Sequence, residues 1–399
     1  MKSSFYCLFL LIILSGTLAG AWEISGSLKP EIDLTCESLS DSSVHYVLQT
    51  PIRLMLRQTT RNFVFNLAWI ANPTAGNPAL RGNETESEPR IFRVADVKEM
   101  ILPTNWNGDE SFSILQNLDR LNISLKTAEA VFTAGRQAIY WGVAKSVSPT
   151  DFISPFQYGT LNAEYRTGVD AVRSVFPVGM MSEVDAGYVF GKNARFADSG
   201  YWLRGRFYLF RTDATLLAAC FRENLMLGGS LNRSLGGGTG WVEFAVVSTD
   251  IFSRGEEWKK DTFWSLSTGY DRSWMNATLY GYLEYHFNSP GSDSPSDYPG
   301  IAAGPAWTEG GIYLLGKHYL SPGLTWALGP LTSLSASGLV NLTDASAYIF
   351  VSGEYSFRED IVLNLGYSHG FEPVTPEESS RAEFATWPGV CFVSSEYCF

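Results

Sequence analysis

Hydrophobic and polar residues alternate one by one along most of the chain. In residues 275–286 one set of alternate positions is mostly apolar and the other is mostly polar. The first set is Met275, Ala277, Leu279, Gly281, Leu283 and Tyr285, and the second is Asn276, Thr278, Tyr280, Tyr282, Glu284 and His286. A period of two places successive side chains on opposite faces of a β-strand. Residues 22–34, 345–357 and 361–368 alternate in the same way, so the pattern predicts β-strands.

Similar segments recur throughout the chain and predict about 16–18 strands once neighbouring segments fuse. The further predicted strands are 44–57, 61–71, 89–99, 119–128, 130–138, 164–175, 182–190, 200–211, 213–222, 224–232, 240–249, 262–271, 312–319, 321–329, 331–342 and 389–399. No segment after residue 21 shows a long, capped pattern of period 3.6. Ser111–Leu125 is the one stretch that we expect to be briefly helical.

The connections between these strands alternate between tight turns and long polar loops. Residues 211–213 and 329–330 are short connections, whereas 72–89, 288–304 and 372–382 are long and rich in polar residues, Pro and Gly. Short turns at one end and long loops at the other are typical of outer-membrane β-barrels. A soluble sandwich also buries one face of alternating strands, so the pattern alone leaves both architectures open.

The composition excludes several classes of protein. Hydrophobic residues make up 45% of the 399 residues, which is too many for a disordered chain. With 29 Lys and Arg against 41 Asp and Glu, the net charge of −12 disfavours nucleic acid as a partner. Five Cys in this length do not form a disulfide scaffold. Charged residues are scarce at 18% and aromatic residues reach 14%, a balance that suits exposed apolar positions interleaved with polar ones.

The N-terminus is predicted to be a cleaved signal peptide at residues 1–21. Lys2 precedes an apolar run from Phe5 to Leu14, and Ala19-Gly20-Ala21 is a small-x-small cleavage site. The alternative is a retained N-terminal anchor. No later stretch approaches 18 apolar residues, so residues 22–399 are expected to form a single domain without a transmembrane helix.

Three features favour a membrane barrel over a soluble sandwich. Aromatic residues recur near strand ends, as they do at lipid interfaces, although each also suits an ordinary core. The polar faces carry charges that water in a lumen can solvate, and the chain ends on an alternating strand at Phe399. The aromatic positions are Trp69, Trp202, Trp241, Trp264, Trp274, Trp326, Tyr355 and Tyr367. The predicted fold is therefore all-β: a transmembrane, antiparallel, up-and-down β-barrel whose closure leaves no unpaired edge in lipid.

One string carries a family resemblance. Gly135-Arg136-Gln137-Ala138-Ile139-Tyr140-Trp141-Gly142 is followed by Ser148-Pro149-Thr150-Asp151-Phe152-Ile153-Ser154-Pro155-Phe156. This string resembles a motif of bacterial outer-membrane porin-like barrels, a group that includes alginate-export-like and related uncharacterised proteins. The resemblance implies a location in the bacterial outer membrane, contact with its lipid, and recognition of the strand ending at Phe399 by the barrel-assembly machinery. It covers the layout of the whole chain but only about 40 residues as a string, and the predicted lumen lacks the basic character of alginate-type barrels.

Residues 143–160 are predicted to be a loop, because Pro149 and Pro155 do not fit a central β-ladder. The loop either enters the lumen as a constriction or packs at a barrel mouth. Arg136 and Gln137 fall on opposite faces of the preceding strand, so only one of them is expected to point inward. Two roles stay open for Arg136 and Asp151: a structural ion pair that holds the loop, or direct contact with solute.

The sequence contains no recognisable catalytic or cofactor-binding site. Four well-separated His residues have no metal-ligand spacing, and residues 236–240 lack the Lys-Ser/Thr of a phosphate loop. Glu183 and Asp185 share a strand face at a spacing that a glycosidase can use, but a row of charges facing a lumen explains them better. We therefore expect no enzyme activity, no cofactor and no metal.

The candidates for lining or constricting a pore are the charged residues on the polar faces and the loop. They are Arg136, Asp151, Arg166, Glu183, Asp185, Arg204, Arg206, Glu243, Glu284 and Glu354. Opposed rows of such charges orient polar solutes in a transverse field. The leading hypothesis is a porin-like channel for small polar solutes, of undetermined oligomeric state. The alternatives are a barrel with an adhesive or structural role, and a soluble exported β-rich protein that acts on carbohydrate.

Overall fold

The chain folds into a closed antiparallel β-barrel of 18 strands. The computed structural model describes residues 21–36, 44–76, 91–96, 100–106, 110–154, 166–252, 261–308, 311, 314–372, 382–385 and 387–399. The strand segments are β1 (Trp22–Leu28), β2 (Glu31–Cys36), β3 (Val44–Gln49), β4 (Ile52–Thr59), β5 (Phe63–Gly76), β6 (Met100–Trp106), β7 (Glu110–Lys126), β8 (Val131–Gln137), β9 (Val169–Val178), β10 (Ser182–Val189), β11 (Gly200–Leu209), β12 (Thr212–Phe221), β13 (Asn224–Leu235), β14 (Gly238–Ser248), β15 (Thr262–Trp274), β16 (Leu279–Asn288), β17 (His318–Gly329), β18 (Thr332–Asn341), β19 (Ala347–Arg358), β20 (Ile361–Phe371) and β21 (Gly389–Cys398).

The 21 segments form fewer barrel strands because two strands are interrupted by proline. β1 and β2 lie along one barrel strand on either side of Pro30, and both pair with β21. β3 and β4 lie along the next strand on either side of Pro51, and both pair with β5. Proline cannot donate to a ladder, which explains the breaks. β6 and β8 share a third barrel strand, because both pair with the edge of β7 opposite β5, and β6 pairs at the end nearest the long loops. The 21 segments therefore make 18 barrel strands.

The first and last strands close the barrel. Ser27 pairs with Cys398, and Glu31 pairs with Ser394, four residues before the C-terminal end of β21. The backbones of Gly26 and Phe399 exchange two hydrogen bonds, at 2.9 and 3.0 Å. Strand pairing around the ring therefore removes the exposed edges that lipid cannot solvate.

Alternation along each strand separates a lipid-type face from a lumen face. In β14, Glu243 is 0% exposed whereas its neighbour Phe244 is 44% exposed. This is the reverse of a soluble sandwich, in which the polar side chain faces water and the aromatic ring is buried. The outward faces of β9 to β21 carry exposed large apolar residues, among them Leu203, Leu216, Leu227, Leu231, Leu283, Leu324 and Leu365. A continuous exposed apolar surface of this kind fits contact with acyl chains.

Tight turns lie at one end of the barrel, called here the turn end, and the longer connections lie at the opposite loop end. Residues 210–211, 236–237, 330–331 and 359–360 make two-residue turns at the turn end. The loop end carries residues 138–154 and the short helices Tyr298–Ala302 and Pro305–Thr308. Among the described residues, no helix is long and apolar enough to cross a membrane.

Several local predictions are wrong, among them the start of the predicted strand 275–286, where residues 275–278 form a turn. Ser111–Leu125 is not helical but belongs to the 17-residue strand β7, because β5 and β8 supply pairing partners on its two sides. Of the predicted strand 89–99, the structure describes residues 91–96. These residues form no strand, and their backbone carbonyls accept hydrogen bonds from residues next to the ends of β9 and β10. The predicted strand 312–319 begins only at His318, since residues 315–317 pair with the loop after β16 instead. The predicted signal peptide lies outside the described residues except for residue 21.

Candidate functional site in the barrel lumen

The chain leaves β8 and enters the lumen over residues 138–154, called here the lumen segment. This segment includes the described part of the loop predicted at 143–160; residues 155–160 lie outside the described residues. Its apolar side chains Ile139, Phe152 and Ile153 are 0–3% exposed. The Phe152 ring stacks on Phe221 of β12 with centroids 4.7 Å apart. The lumen segment is therefore packed against the inner wall and narrows the barrel.

Glu243 of β14 holds the middle of the lumen segment. Its Oε2 accepts hydrogen bonds from the backbone N–H groups of Val143 (2.7 Å) and Ala144 (2.9 Å). Its Oε1 accepts from the Ser148 hydroxyl (2.5 Å) and from both the backbone N–H and the hydroxyl of Thr150 (3.0 and 2.7 Å). A buried carboxylate is tolerated when such donors satisfy its oxygens.

Glu284 of β16 holds the adjoining stretch in the same way. It accepts hydrogen bonds from the backbone N–H groups of Lys145 (2.7 Å), Ser146 (3.1 Å) and Val147 (3.0 Å). The indole N–H of Trp241 adds a fourth donor at 2.9 Å. Charge-assisted hydrogen bonds of this kind are stronger than neutral ones, so the segment is firmly positioned.

Asp185 of β10 anchors the beginning of the lumen segment. Its carboxylate accepts hydrogen bonds from the indole N–H groups of Trp141 (3.0 Å) and Trp202 (3.1 Å). The guanidinium of Arg173 on β9 pairs with the same carboxylate at 2.7 Å. Trp202 and Trp241 thus face the lumen rather than an interfacial belt, and both are 3% exposed. Three predicted site residues, Asp185, Glu243 and Glu284, are brought together by one loop.

Arg136 and Asp151 do not form the ion pair considered from the sequence. Arg136 pairs with Asp170 of β9 (2.7 Å) and lies 3.4 Å from Asp96. Asp151 instead pairs with Arg166 at 2.5 Å. Arg136 and Asp151 therefore each have a nearer partner of opposite charge than the other.

Arg136 and Gln137, of which only one was expected to point inward, are both buried. Gly135 has a backbone φ of +111°, which breaks the regular alternation at the end of β8. The Gln137 amide donates to the backbone carbonyl of Ala171 at 3.3 Å. Gly135 lies inside the motif, so the sequence itself contained a signal for this break in the strand.

The remaining predicted charges line the wall beside the lumen segment or opposite it. Arg204 pairs with Glu183 on the adjacent strand at 2.9 Å, and Arg206 lies 3.9 Å from the same carboxylate. Glu354 is exposed on the lumen face of β19, where it lies opposite Asn364 in the strand register. Glu183 and Asp185 are thus compensated on their own wall, which weakens the opposed rows of charge expected from the sequence.

Sequence reasoning missed several residues of this site. Trp141 stood within the motif but was not selected as a site residue. Arg173 was in a predicted strand and was not selected either. Lys145 of the lumen segment lies 3.5 Å from Asp271 and over the Trp241 ring, 5.5 Å from its centroid. The position of Lys145 depends on the path of the loop, which the alternation of apolar and polar residues does not predict.

A second polar cluster joins loop-end segments. Glu383 accepts hydrogen bonds from the Leu315 backbone (2.9 Å), the Tyr319 hydroxyl (2.5 Å) and the Asn341 amide (2.9 Å). Asp344 accepts from the Glu383 backbone at 2.8 Å. Desolvation, followed by repulsion from Asp344, raises the pKa of Glu383 to about 7.

The fold matches solved porin structures. No model of a known protein family matches the chain, and no curated protein matches it in sequence. OccAB4 of Acinetobacter baumannii superposes with a TM-score of 0.57 at 8% identity, over 96% of this chain and 100% of that chain. OccK8 (OprE) of Pseudomonas aeruginosa gives 0.55 at 11% identity, over 95% of this chain and 98% of that chain. OccK2 (OpdF) of Pseudomonas aeruginosa, in complex with glucuronate, gives 0.54 at 11% identity, over 95% and 98%. These similar structures are Occ/OprD-family outer-membrane porins, and the likeness establishes a shared barrel fold.

Proposed function

We propose that this protein is a porin-like channel of the bacterial outer membrane that passes small polar solutes. The observation that carries the proposal is the lumen segment: a loop held inside a closed barrel by Asp185, Glu243 and Glu284. A loop fixed in this way narrows the pore but does not fill it as a separate plug domain would. The width of the pore and the groups that line it set its selectivity. Neither cofactor nor covalent chemistry is part of this function, and we propose that the protein is not an enzyme.

Location and topology follow from the same proposal. Residues 1–21 act as a cleaved signal peptide and residues 22–399 form one barrel domain. The turn end faces the periplasm and the loop end faces outward, as in other outer-membrane barrels. The exposed apolar outer face supports contact with lipid and counts against the soluble, carbohydrate-active alternative. The relationship to alginate-export-like barrels indicated by the motif at 135–142 remains part of the proposal.

The proposed channel is tested by conductance. The full mature chain, refolded in detergent and added to a planar lipid bilayer, is expected to give discrete current steps. Heat-modifiable mobility on a gel verifies that the same sample is a folded barrel. A folded sample without current steps would contradict the channel and support the adhesive or structural barrel.

The strand ending at Phe399 is proposed to be recognised by the barrel-assembly machinery. The backbone hydrogen bonds between Phe399 and Gly26 support a role of this strand in closure. Phe399→Ala retains those backbone bonds, so refolding in detergent is expected to be unchanged while assembly in cells declines. Equal amounts of assembled wild-type and variant barrel in cell envelopes would contradict recognition of the aromatic ring.

A further inference from the structure

A row of hydroxyl groups covers the inner wall between β16 and β19. Tyr280 lies opposite Thr325, Thr325 opposite Ser335, and Ser335 opposite Ser352 in the strand register. Neighbouring strands are about 4.8 Å apart, so four strands carry the row over about 14 Å. Tyr282 and Ser337 stand on the same lumen face one step nearer the loop end. These six residues, Tyr280, Tyr282, Thr325, Ser335, Ser337 and Ser352, are called here the hydroxyl wall.

The hydroxyl wall begins where the lumen segment touches the barrel. The Ser146 hydroxyl lies 3.3 Å from the Tyr282 hydroxyl and 2.5 Å from the Ser321 hydroxyl. From there the wall continues toward the turn end, because β18 starts at Thr332 beside a turn. Its members are half-buried rather than enclosed. A solute that passes the lumen segment therefore meets the hydroxyl wall next.

The Tyr282 ring lies flat against the wall. Gly323, its register partner on β17, has no side chain, and a Cβ there would overlap the Tyr282 ring atoms. The ring therefore covers the backbone of the neighbouring strand. An aromatic ring with a hydroxyl at its edge combines an apolar face with a polar rim. A sugar ring has the complementary pattern, with C–H groups on its faces and hydroxyls at its edge.

The arginines near the lumen segment are already matched to carboxylates. Arg53 and Arg120 pair with Asp119, Arg166 with Asp151, Arg173 with Asp185, and Arg204 with Glu183, at 2.5–2.9 Å. Glu243 and Glu284 are occupied by the lumen segment itself. A charged solute entering here would lose hydration and compete with these internal pairs for a partner.

We infer that the preferred solutes are small, uncharged and polyhydroxylated, such as a hexose. The inference rests on the proposed channel function and names its substrate class. Tyr280 donates to Asp271 at 3.0 Å and Thr325 pairs with Ser335 at 3.1 Å. A hydroxyl group that makes one such bond still has a further site to donate to or accept from a polyol, because hydroxyl groups both donate and accept. The paired arginines beside the lumen segment give no comparable compensation to a carboxylate, and Glu243 and Glu284, which hold the loop, give none to an ammonium group.

Three matched probes test the inference in planar bilayers. D-glucose, sodium D-glucuronate and D-glucosamine at pH 6 share one ring and differ in charge. Each is added to the wild-type channel, and the concentration that half-reduces the ion current is measured. Glucose is expected to act at a lower concentration than either charged probe, by about tenfold for a difference equivalent to one or two hydrogen bonds.

Variants locate the effect on the wall. The triple variant Ser335→Ala, Ser337→Ala, Ser352→Ala and the single variant Tyr282→Leu are expected to raise the half-blocking concentration of glucose. Ser174→Ala, in β9 on the opposite face from Arg173, is the matched control and should leave it unchanged. Heat-modifiable mobility verifies that every variant folds.

The outcomes separate the two proposals. Absence of conductance from folded wild-type protein would overturn the channel itself. A conducting channel that glucuronate or glucosamine blocks at the same or a lower concentration than glucose would overturn the solute class alone. Glucose block that is unchanged in both wall variants would overturn the assignment of the hydroxyl wall.

Discussion

Glu243 and Glu284 bind adjacent stretches of one loop, the lumen segment. Glu243 accepts hydrogen bonds from the backbone at Val143, Ala144 and Thr150, and Glu284 accepts from Lys145, Ser146 and Val147. Two carboxylates on strands β14 and β16 thus satisfy six N–H groups that a loop inside a barrel would otherwise leave without partners. The lumen segment has its shape because the wall supplies the acceptors that a helix or strand would supply internally.

Replacing Glu284 is expected to release part of the lumen segment. Glu284→Ala removes the acceptor of three backbone N–H groups, and we expect a loss of about 2–4 kcal/mol in the free energy of unfolding. We also expect a larger and noisier single-channel current. Glu284→Gln keeps one acceptor oxygen, so its unfolding free energy and its single-channel current should lie between those of wild type and Glu284→Ala. Glu354→Gln, on another part of the lumen wall, is the control. Conductance and urea unfolding in detergent that match wild type would show that Glu284 does not hold the loop.

The Asp151–Arg166 pair is expected to behave as one unit. The two side chains are 4% and 16% exposed and lie 2.5 Å apart. Removing either partner leaves a poorly solvated charge, so Asp151→Asn and Arg166→Gln should each destabilise the protein by about 3 kcal/mol. The double variant should cost clearly less than the sum of the two single variants. Additive changes in the unfolding free energy would mean that the contact contributes little.

Two adjacent residues of β20 test which face of the barrel contacts lipid and which faces the lumen. Leu365 is 61% exposed on the outer face, whereas Asn364 pairs with Glu354 on the lumen face. Leu365→Arg places a cation in lipid and should cost about 2–4 kcal/mol at mid-membrane depth. Asn364→Arg should fold normally. Refolding yield judged by heat-modifiable mobility distinguishes them, and equal yields would argue against a lipid-facing Leu365.

The contacts of Glu383 are expected to depend on pH. Its pKa is raised from 4.5 to about 7, so the folded protein binds more protons than the unfolded chain between these values. The stabilising contribution of Glu383 is therefore largest below pH 4.5, falls as pH rises to about 7, and is constant above that. The protection factor of the Leu315 amide, which donates to Glu383, should fall over this range; the protection factor divides out the intrinsic rise of amide exchange with pH. Glu383→Gln should remove the dependence, and a persistent one would assign it to another group.

Much of the fold was predictable from local pattern. Alternation correctly predicts strands over residues 279–286 and 361–368 and separates their inner from their outer faces, because side-chain direction in a strand depends only on position parity. Residues 275–278 of the first prediction form a turn instead. The strand number also agrees with the prediction. Failures occur where pairing partners or loop contacts override the local signal, as in Ser111–Leu125, which two neighbouring strands recruit into β7.

The sequence by itself determined strands with one apolar face and one face that carries charged residues, and it favoured a membrane barrel over a sandwich, since a period of two and the length of the connections are readable residue by residue. Only the tertiary structure decided what those charges do. Glu243 and Glu284 meet loop residues 100 and 139 positions away, and Arg136 meets Asp170 instead of Asp151. Such partners are chosen by the path of one loop through the lumen, and that path depends on many long-range contacts at once.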